Sequence, residues 1–104
     1  MTPDPDARLR EVARVRQRPD EDRRRWFAAT DGWSIGRDGA CDLVLGDNRV
    51  SRKHARLDRD EKDWLMRDLD SQNGMRVNGT STKEHLLCSG DVIEIADFAI
   101  IFMD

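Results

Sequence analysis

From Trp26 to Phe102 the chain breaks every apolar stretch after a few residues. The stretches are Trp26-Phe27-Ala28, Trp33-Ser34-Ile35, Leu43-Val44-Leu45, His54 to Leu57, Trp64 to Leu69, Met75 to Val77, Val92 to Ile95 and Phe98 to Phe102. Between them stand Gly, Asn, Asp and Ser, as in Thr30-Asp31-Gly32 and Gly46-Asp47-Asn48. Short apolar segments divided by turn residues are how a β-sandwich or barrel reads in sequence. No long stretch keeps a 3.6-residue period and no internal repeat is visible, so the fold class expected is all-β. Trp26, Phe27, Trp33, Trp64, Phe98 and Phe102 are the expected aromatic core, since large apolar rings gain most from burial.

With 104 residues there is room for one domain and one modest core. Residues 1–22 read as a charged leader containing Pro3, Pro5 and Pro19, with loose alternation over 9–18 offering an edge strand; the domain is expected over 23–104. No apolar run approaches the roughly 18 residues of a membrane helix, and Met1 to Asp22 lacks the apolar stretch of a signal peptide. A cytoplasmic protein, with no membrane partner, is expected. The net charge of −3 argues against nucleic acid, which calls for a basic face. Within that acidic body Arg49, Arg52, Lys53, Arg56 and Arg76 gather near one set of motifs, an arrangement suited to a small anionic epitope. Cys41, Cys88, His54 and His85 lack the close pair spacing of zinc sites. No metal, cofactor or disulfide is therefore expected, and both cysteines are read as small, partly buried hydrophobes.

The motifs are Gly36-Arg37, Ser51-Arg52-Lys53-His54 and Ser71-Gln72-Asn73-Gly74, followed by Val77-Asn78-Gly79. An arginine and a hydroxyl converging from separate loops form a seat for phosphate, because guanidinium and phosphate meet through paired charge-assisted hydrogen bonds. In order and spacing these residues resemble the forkhead-associated (FHA) domain family, over about Trp33 to Met103. The resemblance implies a sandwich of two antiparallel sheets, about eleven short strands, with binding loops at one end. It also implies a function: a non-catalytic module that binds phosphothreonine in a partner protein within Ser/Thr kinase signalling, expected to work as a monomer.

By the same resemblance Arg37 and Ser51 hold the phosphate with help from Arg52, and Asn73 holds the peptide main chain. Gly36, His54, Gly74 and Asn78 support the site, with Gly36 expected to let the chain turn and His54 to brace the loops. Arg49, Gln72 and Arg76 form a specificity rim; Gln72 stands where the family commonly has threonine. Arg49 and Arg76 are expected to favour acidic residues, chiefly at the third position after the phosphothreonine. Glycine is usual where Ala96 stands, so a changed turn is expected there. Two other functions are weighed against this one. A Ser51/His54 hydrolase completed by Asp68 or Asp91 lacks a Gly-x-Ser-x-Gly elbow and leaves Arg37 and Asn73 without a task. A phosphate-independent domain that self-associates or holds a partner through a sheet face would be told apart by pairing phosphorylated with unphosphorylated peptides.

Overall fold

The computed structural model describes residues 8–14 and 27–104. Eleven strands fill them: β1 Arg8–Arg14, β2 Phe27–Ala28, β3 Trp33–Gly36, β4 Leu43–Val44, β5 Ala55–Asp60, β6 Asp63–Asp68, β7 Met75–Val77, β8 Thr80–Thr82, β9 Glu84–Leu86, β10 Val92–Ile95 and β11 Phe98–Met103. They form a six-stranded sheet in the order β2-β1-β11-β10-β7-β8 and a five-stranded sheet in the order β4-β3-β5-β6-β9. The expected sandwich is thus found, with one departure. β4 lies parallel to β3, pairing Ile35 with Leu43 and Gly36 with Val44.

Alternation along each strand places the core between the sheets. Leu9, Met75, Val77, Ile93, Ile95, Phe98, Ile100 and Phe102 face Trp33, Ile35, Leu43, Ala55, Leu57, Trp64 and Met66, none more than 4% exposed. Four of the six expected core aromatics are among them; Phe27 is half-buried against the cluster, and Trp26 lies outside the described residues. Burying one such side chain is worth about 1.5–3 kcal/mol, so a strand of even two inward residues can be held.

The expected edge strand 9–18 appears as β1 over 8–14, with 15–18 outside the described residues. It is not an edge. β1 lies between β2 and β11, pairing Arg8 with Met103 through Arg14 with Phe98, with a register shift between Glu11 and Ala13. Residues 8–14 therefore belong to the folded unit rather than to a separate leader. β8 and β9 had no apolar signature and are short polar strands closing the two sheets.

Asn78-Gly79 forms the two-residue turn joining β7 to β8, with φ of 52° and 84°. Two successive left-handed residues match the right-handed twist of the hairpin strands, which is why Asn-Gly is favoured there. Ala96 opens the β10–β11 turn with φ 53°, a conformation an alanine adopts at a cost.

Candidate functional site

Three loops gather where β3 ends, where the chain enters β5, and where it passes from β6 to β7. Their junction depends on Gly36. A Cβ there would stand 2.1 Å from the Arg52 carbonyl oxygen and 3.0 Å from Cys41 Sγ. Its φ is not left-handed, so the glycine is required for close approach and not, as expected from sequence, for turning. With the backbones this near, the Arg37 amide donates to Ser51 O at 3.0 Å and the Asp38 amide to Arg52 O at 3.1 Å.

Arg37 is exposed, and its Nε donates to the buried Val50 carbonyl at 3.1 Å. That bond fixes the guanidinium plane and leaves both terminal nitrogens without a partner among the described residues. The Ser51 hydroxyl oxygen accepts the Gln72 amide at 3.1 Å, so its own proton is available to a further acceptor. The Arg52 amide, next along the chain, donates to nothing among the described residues, and neither the Arg52 nor the Lys53 side chain meets a carboxylate there. Free N–H and O–H donors and cations thus converge, which is what an oxyanion requires.

His54 is fully buried. Its Nδ1 accepts the Ser51 amide at 3.0 Å, so Nε2 carries the proton and donates to Gly74 O at 2.7 Å. One imidazole ties the second loop to the third. The arrangement also removes the hydrolase. The ring meets the Ser51 amide rather than its hydroxyl. Asp68 lies 3.9 Å from Nε2 but is engaged by Ser71, and Asp91 is held elsewhere by His85, Asn78 and the Cys88 amide.

The third loop is shaped by a turn that was not foreseen. The side chain of Asp68 is fully buried; it accepts the Ser71 hydroxyl and the Ser71 amide, while the Ser71 oxygen accepts the Gly74 amide at 2.9 Å. An aspartate three residues before a serine was the available signal, an Asx-type turn. The loop presents Asn73, whose Nδ2 donates to the Arg49 carbonyl at 2.8 Å, leaving Oδ1 and one amide hydrogen for a ligand. Gln72 is exposed beside it.

The expected rim arginines lie at this end, but neither is bare. Arg49 donates to Asp47 at 2.7 Å and to Asp97 at 2.6 Å, and these bonds hold its guanidinium above its ordinary pKa. Arg76 stands 3.5 Å from Glu94. Arg56 pairs with Asp58 on the outer face of the five-stranded sheet. Asn78 sits at the other end of β7, bonding Asp91 Oδ1 and the Val92 amide and none of the residues at the loop junction. Cys41 is half-buried with its thiol on Arg52 O at 3.3 Å, whereas Cys88 is exposed, contrary to expectation.

The FHA domain family profile matches residues 33–96. The chain is 35% identical over 71 residues to the oxoglutarate dehydrogenase inhibitor of Corynebacterium diphtheriae, covering 68% of this chain and 50% of that protein. It is 33% identical over 70 residues to the glycogen accumulation regulator GarA of Mycobacterium tuberculosis, covering 67% and 43%. The chain therefore spans about half the length of the curated relatives it matches. Among solved structures, an FHA domain analysed for its phosphothreonine-dependent interactions superposes with a TM-score of 0.80 at 30% identity, over 95% of this chain and 96% of that one. Mycobacterium tuberculosis EmbR, solved with a low-affinity phosphopeptide, gives 0.80 at 27% identity over 94% of this chain and 24% of that one.

Proposed function

Because the chain belongs to the forkhead-associated domain family, we propose that it reads phosphothreonine in an extended segment of a partner protein, within Ser/Thr kinase signalling. It is a binding module rather than an enzyme. The observation that carries the reading is the donor set left open at the loop junction: the two terminal nitrogens of Arg37, the Ser51 hydroxyl proton and the Arg52 amide. Arg37 and Ser51 hold the phosphate, the Arg52 amide assists, and Lys53 adds local positive charge. Asn73 turns its free Oδ1 and amide hydrogen to the peptide main chain. Gly36, His54 and Gly74 keep the three loops in register, while Arg49, Gln72 and Arg76 line the way out.

A monomer acting in the cytoplasm, where protein kinases and their substrates meet, is the simplest setting. Among the described residues no helix is long and apolar enough to cross a membrane. The Corynebacterium relative is named for inhibiting oxoglutarate dehydrogenase, which makes a metabolic enzyme the first partner class to try. The test is fluorescence anisotropy with matched threonine and phosphothreonine peptides. Binding of the phosphorylated form alone is expected. Equal binding of both would overturn the reading in favour of contact through a sheet face.

A further inference from the structure

Beside the loop junction lies a cavity of about 250 Å³ whose lining includes Arg49, Asn73, Arg76, Ser81, Glu94 and Ala96. It shares Asn73 and Arg49 with the binding loops, so a peptide held by Asn73 has a flanking side chain within reach of it. On sequence alone two arginines here would attract an acidic residue. The geometry opposes that. Arg49 is held by Asp47 and Asp97, the second contributed by the β10–β11 turn 48 residues away in sequence, and Arg76 faces Glu94 across the β7–β10 pair. Both cations of the cavity already have a carboxylate within 3.5 Å. An incoming carboxylate would have to compete with Asp97 or Glu94 for a guanidinium, and would meet their negative charge. An uncharged side chain meets no such opposition, and finds the Ala96 methyl and the Ser81 hydroxyl as contacts.

We infer that Asp97 and Glu94 are specificity-determining residues: by neutralising Arg49 and Arg76 they make this groove take an uncharged flanking side chain in place of an acidic one. The inference rests on the phosphothreonine reading above and deepens it. Seen this way, the rim charge that remains to act on a ligand is that of Arg37, Arg52 and Lys53, clustered at the phosphate itself.

The experiment is a phosphothreonine peptide array in which each flanking position is varied among Asp, Asn, Leu and Lys, read with the wild-type protein, Glu94→Gln and the Asp97→Asn/Glu94→Gln pair. Wild type should show no enrichment of Asp over Asn at any position whose preference the substitutions alter. At that position the paired substitution should raise Asp over Asn by about two- to fivefold, the range an exposed ion pair supplies. Glu94→Gln, at a side chain one-third exposed, should give part of that rise without threatening the fold. Enrichment of Asp in wild type, or an unchanged profile in folded variants, overturns the inference while leaving phosphate recognition intact. Absence of phosphate-dependent binding to a flank-neutral peptide overturns the underlying reading as well.

Discussion

Arg37 can be removed without touching the core, because it is exposed and spends a single bond on Val50 O. Arg37→Ala should leave the melting temperature near that of wild type and weaken phosphothreonine binding by about 10- to 100-fold, the loss of one charge-assisted contact of about 1.5–3 kcal/mol. Calorimetry of the folded variant checks it, and near-wild-type affinity would remove Arg37 from the site. His54 is the opposite case. Replacing it by alanine leaves the Ser51 amide and the Gly74 carbonyl without a buried partner, each costing about 1–3 kcal/mol. A fall in melting temperature of more than about 8 °C is expected, with binding weakened through the displaced loops. Gly36→Ala should cost about 1–3 kcal/mol, since a Cβ 2.1 Å from a backbone oxygen forces the loop away. Phosphate affinity should fall with it, which separates close approach from mere turn formation. Arg37, Ser51 and His54 stand out in the sequence because each sits in a local motif. Asp97, by contrast, bears on Arg49 from another strand pair, and no local spacing announces such a contact.

At the scale of strands and turns, the β10–β11 connection holds the most informative departure. Ala96 occupies the left-handed position with a side chain that makes it sterically costly. Ala96→Gly should raise stability by about 0.5–1 kcal/mol, the relief of a left-handed alanine less the entropy glycine adds to the unfolded chain. The urea midpoint, at unchanged slope, measures it. Leu9→Ala tests the opposite end of the sheet. Leu9 is fully buried although its strand reads as an indifferent charged segment, and its loss should cost about 2–5 kcal/mol. A cost below 1 kcal/mol would mean that residues 8–14 are not part of the stable unit. The same contrast explains what could be read in advance. β3, β5, β6, β10 and β11 were legible because inward and outward residues alternate along them. β8 and β9 were not: Thr80–Thr82 and Glu84–Leu86 each bury at most part of one side chain, and they are strands only because β7 and β6 offer free edges. The interior place of β1 was equally hidden, since its pairing with β11 spans nearly the whole chain.

Across the described residues, the three-loop junction and the Asp91 cluster occupy opposite ends of β7, so the proposed function and acid stability separate. Burial of Asp91 works against its ionised form, but hydrogen bonds from the Cys88 amide, the Asn78 side chain and His85 outweigh it and lower its pKa below the ordinary 3.8. A depressed folded pKa means that the stabilisation is complete above 3.8 and disappears as pH falls through the lower folded value. Asp91→Asn should therefore lower stability at pH 7, and the difference from wild type should shrink as pH falls below about 4. Urea unfolding across pH 2–7 tests the sign, and a gap that widened on acidification would refute it. Phosphopeptide affinity at neutral pH should be unaffected by that substitution, because Asp91 touches none of the binding residues.

The pairing of β1 with β11 has a mechanical consequence. Arg8 faces Met103 at the pole remote from the binding loops, while Arg14 faces Phe98 near them. Tension applied between residues 8 and 103 therefore loads the seam at one end, and would open it as a zipper, one residue pair after another, instead of shearing every bond together. Each step releases only one or two backbone hydrogen bonds, so the seam should yield at low force. The three loops belong to other strands and would be the last to feel the pull.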